Sequence, residues 1–209
     1  MVINNREFED RLLIEGKKLI AGVDEVGRGP IAGPVVAACV ILPPHFFLEG
    51  LIDSKKVSAK KRDYLYDRIL EGAIEVKYEF INEQLIDQVN IYQASKLAMQ
   101  NAVNSCVIKP DYVLVDAMKL DIDIPTIGII KGDEKSISIA AASIVAKVIR
   151  DRYMRDLAVL YPQYGFDKNK GYPTKYHKEA LLKFGVLDIH RKTFSPVKEL
   201  LNQQIKFDL

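Results

Sequence analysis

A chain of 209 residues, 48% hydrophobic and 28% charged, is long enough to bury a full core and too apolar to be disordered, and its two cysteines cannot supply the framework of a disulfide-stapled miniprotein. Thirty Lys and Arg against 28 Asp and Glu leave a net charge of +2, so total charge neither selects nor excludes a nucleic-acid partner. The distribution says more: Lys55, Lys56, Lys60, Lys61 and Arg62 form one basic cluster, and Lys168, Lys170, Lys175, Lys178, Lys183, Arg191 and Lys192 a second.

Near the start, Arg6, Glu7, Glu9, Asp10 and Arg11 stand where a signal peptide needs an apolar segment, so a cytoplasmic location is expected. Leu19 to Val26 reads as a strand. A glycine- and proline-rich loop follows, and Pro34 to Leu42 (PVVAACVIL), apolar on both faces, reads as a central strand ended by Pro43 and Pro44. The uncharged stretch Gly29 to Phe47 contains four prolines and cannot cross a bilayer as a helix. Ser58 is placed to cap a helix to about Gly72, and Ile74 to Ile81 alternates as a half-buried strand does. Leu85, Ile86, Val89, Leu97, Ala98, Ala102 and Cys106 keep helical spacing, which predicts one helix from Glu83 to Val107. Tyr112 to Asp116 is a short buried strand ending in an acid, and Pro125 to Ile130 is another. Ser136 caps a long helix to about Tyr161 whose start, ISIAAASIVA, is apolar nearly all round and belongs in the middle of the protein. Thr174 to Phe184 and Val197 to Gln204 complete the helices. The order predicts an α/β fold, a mixed sheet flanked by helices, with residues 1–161 as the core and 162–209 as a small basic helical C-terminal appendage. Cys39 and Cys106, without a CxxC or a nearby His, read as buried free thiols.

Asp24 and Glu25 interrupt the apolar strand AGVDEVG, where unpaired carboxylates are costly. Strand residues alternate in direction, so one of the pair points into a given site from a regular strand. A bend at Gly27 and Gly29 lets Glu25 contribute from the strand end, through its backbone carbonyl. Asp116 repeats the pattern in YVLVD. Acids at neighbouring strand ends, without Cys or paired His, suit a hard oxygen-liganded cation, Mg²⁺ or Mn²⁺, and not zinc. Gly27-Arg28-Gly29 with Gly33 is superficially like a dinucleotide-binding loop, but such a loop must open a helix, and here Pro34 continues into a strand. The glycines are better read as allowing close approach of backbone to a ligand, with Arg28 as a phosphate or sugar contact.

Several segments, in order and spacing, resemble the bacterial ribonuclease HII family: AGVDEVGRGPIAGPVVAACVIL (Ala21 to Leu42), DSKK (Asp53 to Lys56), VLVDA (Val113 to Ala117), KGDEKSISIAAASIVAKVIRDR (Lys131 to Arg152) and NKGYPTKYH (Asn169 to His177). The resemblance implies a ribonuclease H-like fold. It also implies endonucleolytic hydrolysis of the RNA strand of RNA–DNA hybrids and incision 5′ of single ribonucleotides in duplex DNA, leaving 5′-phosphate and 3′-hydroxyl ends. Carried over by position, the metal-binding and catalytic acids fall on Asp24, Glu25, Asp116 and Asp133. Asp151 competes for the fourth place, but it stands four residues from both Lys147 and Arg155, and a helical ion pair accounts for it. The resemblance assigns ribose 2′-hydroxyl recognition to the backbone of Gly27, Arg28 and Gly29, phosphate contacts to Ser54, Lys55 and Lys56, and packing on the adjoining deoxyribose to Tyr172. Two Mg²⁺ or Mn²⁺ ions about 4 Å apart would serve an in-line displacement, so no protein nucleophile is required.

His177 and His190 are read as satisfied core or surface histidines, and His45 as structural. The tail Gln204 to Leu209 is loosely similar to a sliding-clamp-binding peptide, although a helix end docking Ile205 and Phe207 on the domain is the preferred account. A monomer is expected. The rivals are a catalytically silent nucleic-acid-binding module on the same fold, which has no reason to keep acids facing phosphates, and a nucleotide oxidoreductase, which the strand after Pro34 argues against.

Overall fold

The computed structural model describes residues 5–51 and 57–207. Its centre is a five-stranded sheet of order β3-β2-β1-β4-β5. β1 (Ile20–Val26) pairs antiparallel with β2 (Val35–Ile41), Val23 opposite Cys39, and parallel with β4 (Tyr112–Asp116), Val23 opposite Val115. β3 (Glu75–Ile81) extends the sheet antiparallel beyond β2, and β5 (Thr126–Ile129) runs parallel to β4. Every residue of β2 is buried, as its two apolar faces require.

Strand alternation divides the core in two. Ala21, Val23, Ala37 and Cys39 pack with Ala94, Ala98 and Ala102 of α4 (Ile91–Asn104), while Val36, Ala38 and Val40 pack with Leu65 and Ile69 of α2 (Ala59–Gly72) and the alanine-rich start of α6 (Ile137–Leu160). α6 lies so close to β1 that a Cβ on Gly22 would stand 2.0 Å from the Ser138 carbonyl carbon. The small residues of ISIAAAS are what permit this approach. Ser58 and Ser136 cap α2 and α6 by accepting from the amides of Lys61 and Ile139, as their positions predict.

Two elements differ from the pattern-based reading. The predicted helix Glu83 to Val107 is broken into α3 (Glu83–Val89) and α4, because Asn90 takes φ +69° and its side chain accepts from the Tyr92 and Gln93 amides, starting a new helix. An unanticipated helix, α1 (Glu7–Ile14), covers the first turn of α6. Its Glu9 is buried, and Oε1 accepts from the Ser136 hydroxyl at 2.5 Å and the Ser138 amide at 3.0 Å, placing a carboxylate on the positive end of α6.

The C-terminal segment comprises a 3-10 turn (Pro162–Tyr164), α7 (Phe166–Asn169), α8 (Lys175–Phe184) and α9 (Val197–Phe207). Tyr164, Phe166, Ala180, Leu181 and Val197 form an apolar cluster that also takes in Ile31 and Ala32 from the loop between β1 and β2. The basic end of the chain is thereby seated against the glycine loop. No helix among the described residues is long and apolar enough to cross a membrane.

Candidate active site

Parallel pairing sets the first two acids side by side. Val23 lies opposite Val115, so Asp24 and Asp116 follow one step later on adjacent strands and share the face turned toward α6. Asp24 is buried; its Oδ1 accepts from the Glu25 amide at 2.7 Å, and the Ser143 hydroxyl of α6 bonds it as well. Burial, reinforced by the charges of Glu25 and Asp116, drives its pKa well above the ordinary carboxylate range, against the smaller opposing effect of those hydrogen bonds. Asp116 Oδ1 accepts from the Gly132 amide at 2.8 Å. That bond sets the short helix α5 (Gly132–Lys135) against the end of β4 and puts the buried Asp133 one residue from the contact.

Glu25 projects from the opposite face at the strand end. Its Oε1 faces Arg28 Nη1 at 3.4 Å, while Oε2 is buried with no hydrogen-bond partner among the described residues. Burial raises its pKa, Arg28 opposes that shift, and Asp116 adds to it. The Glu25 carboxylate thus lies at the strand end beside Arg28, within electrostatic reach of Asp24 and Asp116. Asp151 is held by Lys147 Nζ at 2.6 Å and Arg62 Nη1 at 3.3 Å. The ion-pair account of Asp151 stands, with Arg62 of α2 in the place expected of Arg155.

The glycine loop forms one wall beside these acids, and Tyr172 stands over it. Arg28 and Gly29 are exposed, and a Cβ on Gly29 would lie 3.2 Å from Tyr172 Cε1. Gly27 takes φ +99°, with Arg150 packed where a side chain would go. Tyr172 is held from behind by a chain of hydrogen bonds through two buried histidines. The Leu187 amide donates to His190 Nδ1 at 2.9 Å, which leaves the His190 proton on Nε2 to donate to His177 Nε2 at 3.1 Å; His177 Nδ1 then donates to the Tyr172 carbonyl at 2.9 Å. Both histidines are therefore satisfied core residues. Burial and the neighbouring His177 push the His190 pKa down to about 4, and burial also lowers that of His177.

Ser54, Lys55 and Lys56 lie outside the described residues. Sequence reasoning missed Arg150 and Arg191, both fully buried behind the glycine loop. The available signal was the apolar periodicity of α6, which places Arg150 in line with Ser143 and Ala146 on a buried face.

Among the described residues no three Asp, Glu, His or Cys side chains are gathered closely enough to hold a metal ion by themselves. An all-oxygen set at strand ends, two carboxyls pushed toward neutrality and one buried oxygen without a partner nevertheless fit a hard cation that takes its remaining ligands from water and substrate.

The family model for ribonuclease HII matches residues 21–197. A ribonuclease HII from Bacillus cytotoxicus is 53% identical over 199 residues, covering 95% of this chain and 77% of the relative. One from Leuconostoc mesenteroides is 54% identical over 195 residues, 93% of this chain and 77% of the relative. Among solved structures, the ribonuclease H2 of Pyrococcus horikoshii OT3 superposes with TM-score 0.78 at 26% identity, over 90% of this chain and 99% of that one. The ribonuclease HII of a PCNA complex from Archaeoglobus fulgidus gives 0.71 at 24% identity (85% and 95%), and a Bst ribonuclease HIII in complex with Mn²⁺ gives 0.63 at 16% identity (91% and 71%); these two share the fold.

Proposed function

Because this chain belongs to the ribonuclease HII family and is an endoribonuclease, we propose that it hydrolyses the RNA strand of RNA–DNA hybrids and incises 5′ of single ribonucleotides embedded in duplex DNA. The observation that carries the reading is the junction of three features: Asp24 and Asp116 on neighbouring strand ends, Glu25 with a buried unpartnered oxygen, and an exposed glycine loop directly under Tyr172.

In this reading Asp24, Glu25, Asp116 and Asp133 hold divalent cations, Mg²⁺ or Mn²⁺. Bound there, such ions supply water activation and neutralise charge at the scissile phosphate. The chain's own residues do the selecting. The backbone of Gly27 to Gly29 approaches the sugar closely enough to read its 2′-hydroxyl, the one group that separates a ribonucleotide from its neighbours. Tyr172 presents a flat surface to the next sugar, where a deoxyribose fits. Ser54, Lys55 and Lys56 hold backbone phosphates. Cutting at the 5′ phosphate leaves the 2′-hydroxyl as a positioning group that does not attack, hence 5′-phosphate and 3′-hydroxyl ends. Residues 1–161 act as the nuclease core and 162–209 as the basic substrate-binding extension of a cytoplasmic monomer.

The test is a labelled duplex with one ribonucleotide, incubated with Mg²⁺, Mn²⁺ or EDTA, with end mapping. Metal-dependent cutting 5′ of the ribonucleotide is expected, and loss of it in Asp116→Asn. Cutting on the 3′ side, or a cyclic phosphate end, refutes the reading. A sliding-clamp contact through Gln204 to Leu209 is proposed alongside it, since a structural neighbour is described in complex with PCNA and α9 runs to Phe207. Deleting the last six residues should leave cleavage unchanged and abolish capture by the clamp, and an intact chain that shows no capture ends that idea.

A further inference from the structure

Two guanidinium groups are buried behind the glycine loop, and among the described residues neither has a carboxylate within ion-pair distance. Burying such groups costs far more than burying an apolar side chain of the same size. Backbone carbonyls take their hydrogen bonds, nearly all of them from one loop, and the buried Glu83 carboxylate attracts both from beyond ion-pair distance. Arg191 donates from Nη2 to Gly27 O at 2.6 Å, from Nη1 to Arg28 O at 3.1 Å, and from Nε and Nη2 to Gly33 O at 3.0 and 2.7 Å. Arg150 donates from Nε to Pro34 O at 2.9 Å and from Nη2 to Ala32 O at 3.2 Å. Its third bond, Nη1 to Lys170 O at 3.0 Å, crosses to the segment that carries Tyr172. The same two segments are joined by the Ile31 amide on Gly171 O at 2.9 Å.

The peptide bonds of this loop are trans, and in a trans peptide the C=O and the following N–H point in opposite directions. Drawing the carbonyls of Gly27 and Arg28 inward to Arg191 therefore turns the amides of Arg28 and Gly29 outward, on the exposed side beneath Tyr172. A cation behind each carbonyl also polarises the peptide and strengthens its outward donor.

We propose that Arg150 and Arg191 are positioning residues for sugar discrimination. Arg191 orients and polarises the Arg28 and Gly29 amides toward the substrate's 2′-oxygen, and Arg150 fixes the spacing between that loop and Tyr172. The proposal rests on the reading of this loop as the 2′-hydroxyl contact. Both arginines stay charged near neutral pH even though burial lowers their pKa, to about 10 for Arg150 and about 9 for Arg191.

The test uses Arg191→Lys and Arg150→Lys in the full chain. Lysine keeps the charge but lacks the planar fork that reaches several carbonyls. Affinities are measured by fluorescence anisotropy in EDTA for a duplex with one ribonucleotide and for the same duplex made wholly of DNA. Each ratio comes from one preparation, so the folded fraction cancels. The wild type should prefer the ribonucleotide duplex, and the variants should lose roughly tenfold of that preference, mainly by weaker binding of the ribonucleotide duplex. An unchanged preference overturns the proposal, as does equal weakening on both duplexes. Failure of both variants to fold overturns it in favour of a purely architectural role. A wild type without preference overturns the 2′-hydroxyl reading itself, and that result is visible before any substitution is made.

Discussion

The His177–His190 pair makes the fold acid-sensitive in a window that can be calculated. His190 accepts the Leu187 amide on Nδ1 and reaches His177 with Nε2, so a second proton on its ring breaks one of these bonds. Its pKa falls from the ordinary 6.5 to about 4 in the folded chain, so the unfolded chain binds more protons over that interval. A group depressed in this way contributes its full stability above pH 6.5, loses it progressively as pH falls, and loses nothing more below about 4. The whole effect is worth about 3 kcal/mol, of which about 2 kcal/mol is gone by pH 5. Urea unfolding of wild type and His190→Asn at pH 7.5 and pH 5 measures it. The asparagine oxygen can still accept from Leu187 but cannot titrate, so the variant should be less stable at pH 7.5 yet lose about 2 kcal/mol less on acidification. Parallel pH profiles, or a His190 ring titrating near 6.5 by NMR, would refute the reasoning.

Asp24→Asn should abolish cleavage and, in EDTA, raise stability at neutral pH by on the order of 1 kcal/mol, because it removes a buried carboxylate whose ionised form the fold resists; a lower denaturation midpoint contradicts this. Gly22→Ala puts a methyl 2.0 Å from the backbone of Ser138, which no rotamer change relieves, and should cost more than the roughly 1–3 kcal/mol of ordinary overpacking. A melting temperature like that of the wild type would show that α6 can retreat from the sheet. Tyr172→Ala should slow incision at a single ribonucleotide by about tenfold, from the roughly 1–3 kcal/mol of an aromatic–nucleotide contact, and slow cleavage of a long hybrid less. Equal losses on both substrates would remove the junction-sensing role.

Residues that carry an obvious local cost were legible in the sequence. Asp24 and Asp116 stand out because acids end otherwise apolar strands, and Ser58 and Ser136 because hydroxyls precede helical patterns. The loop of Gly27 to Gly29 was legible from the glycine spacing and the strand after Pro34. What stayed hidden depends on the third dimension. Asn90 occupies a place in a continuous helical pattern, and only its positive φ and its cap on Tyr92 and Gln93 break the helix. Glu9 lies in a charged stretch of the kind that is usually solvated, and its burial follows from Ser136, far along the chain. Arg191 reads as one more cation in a basic region, whereas its hydrogen-bond partners are all carbonyls, which no residue type announces.

The distance along the chain between the parts of this site has a consequence for when the protein becomes active during its synthesis. Gly33 and its guanidinium partner are 158 residues apart, and Glu9 and the Ser136 hydroxyl 127. A growing chain can pair β1 with β2 while still on the ribosome, and it will already carry Asp24 and Glu25. It cannot shape the loop beside them until the segment bearing Arg191 has emerged and folded back. In the proposed reading, a chain that has not yet folded the segment bearing Arg191 onto this loop displays the acids without the selective wall, so discrimination between sugars comes later in folding than the pairing of the strands that carry the carboxylates.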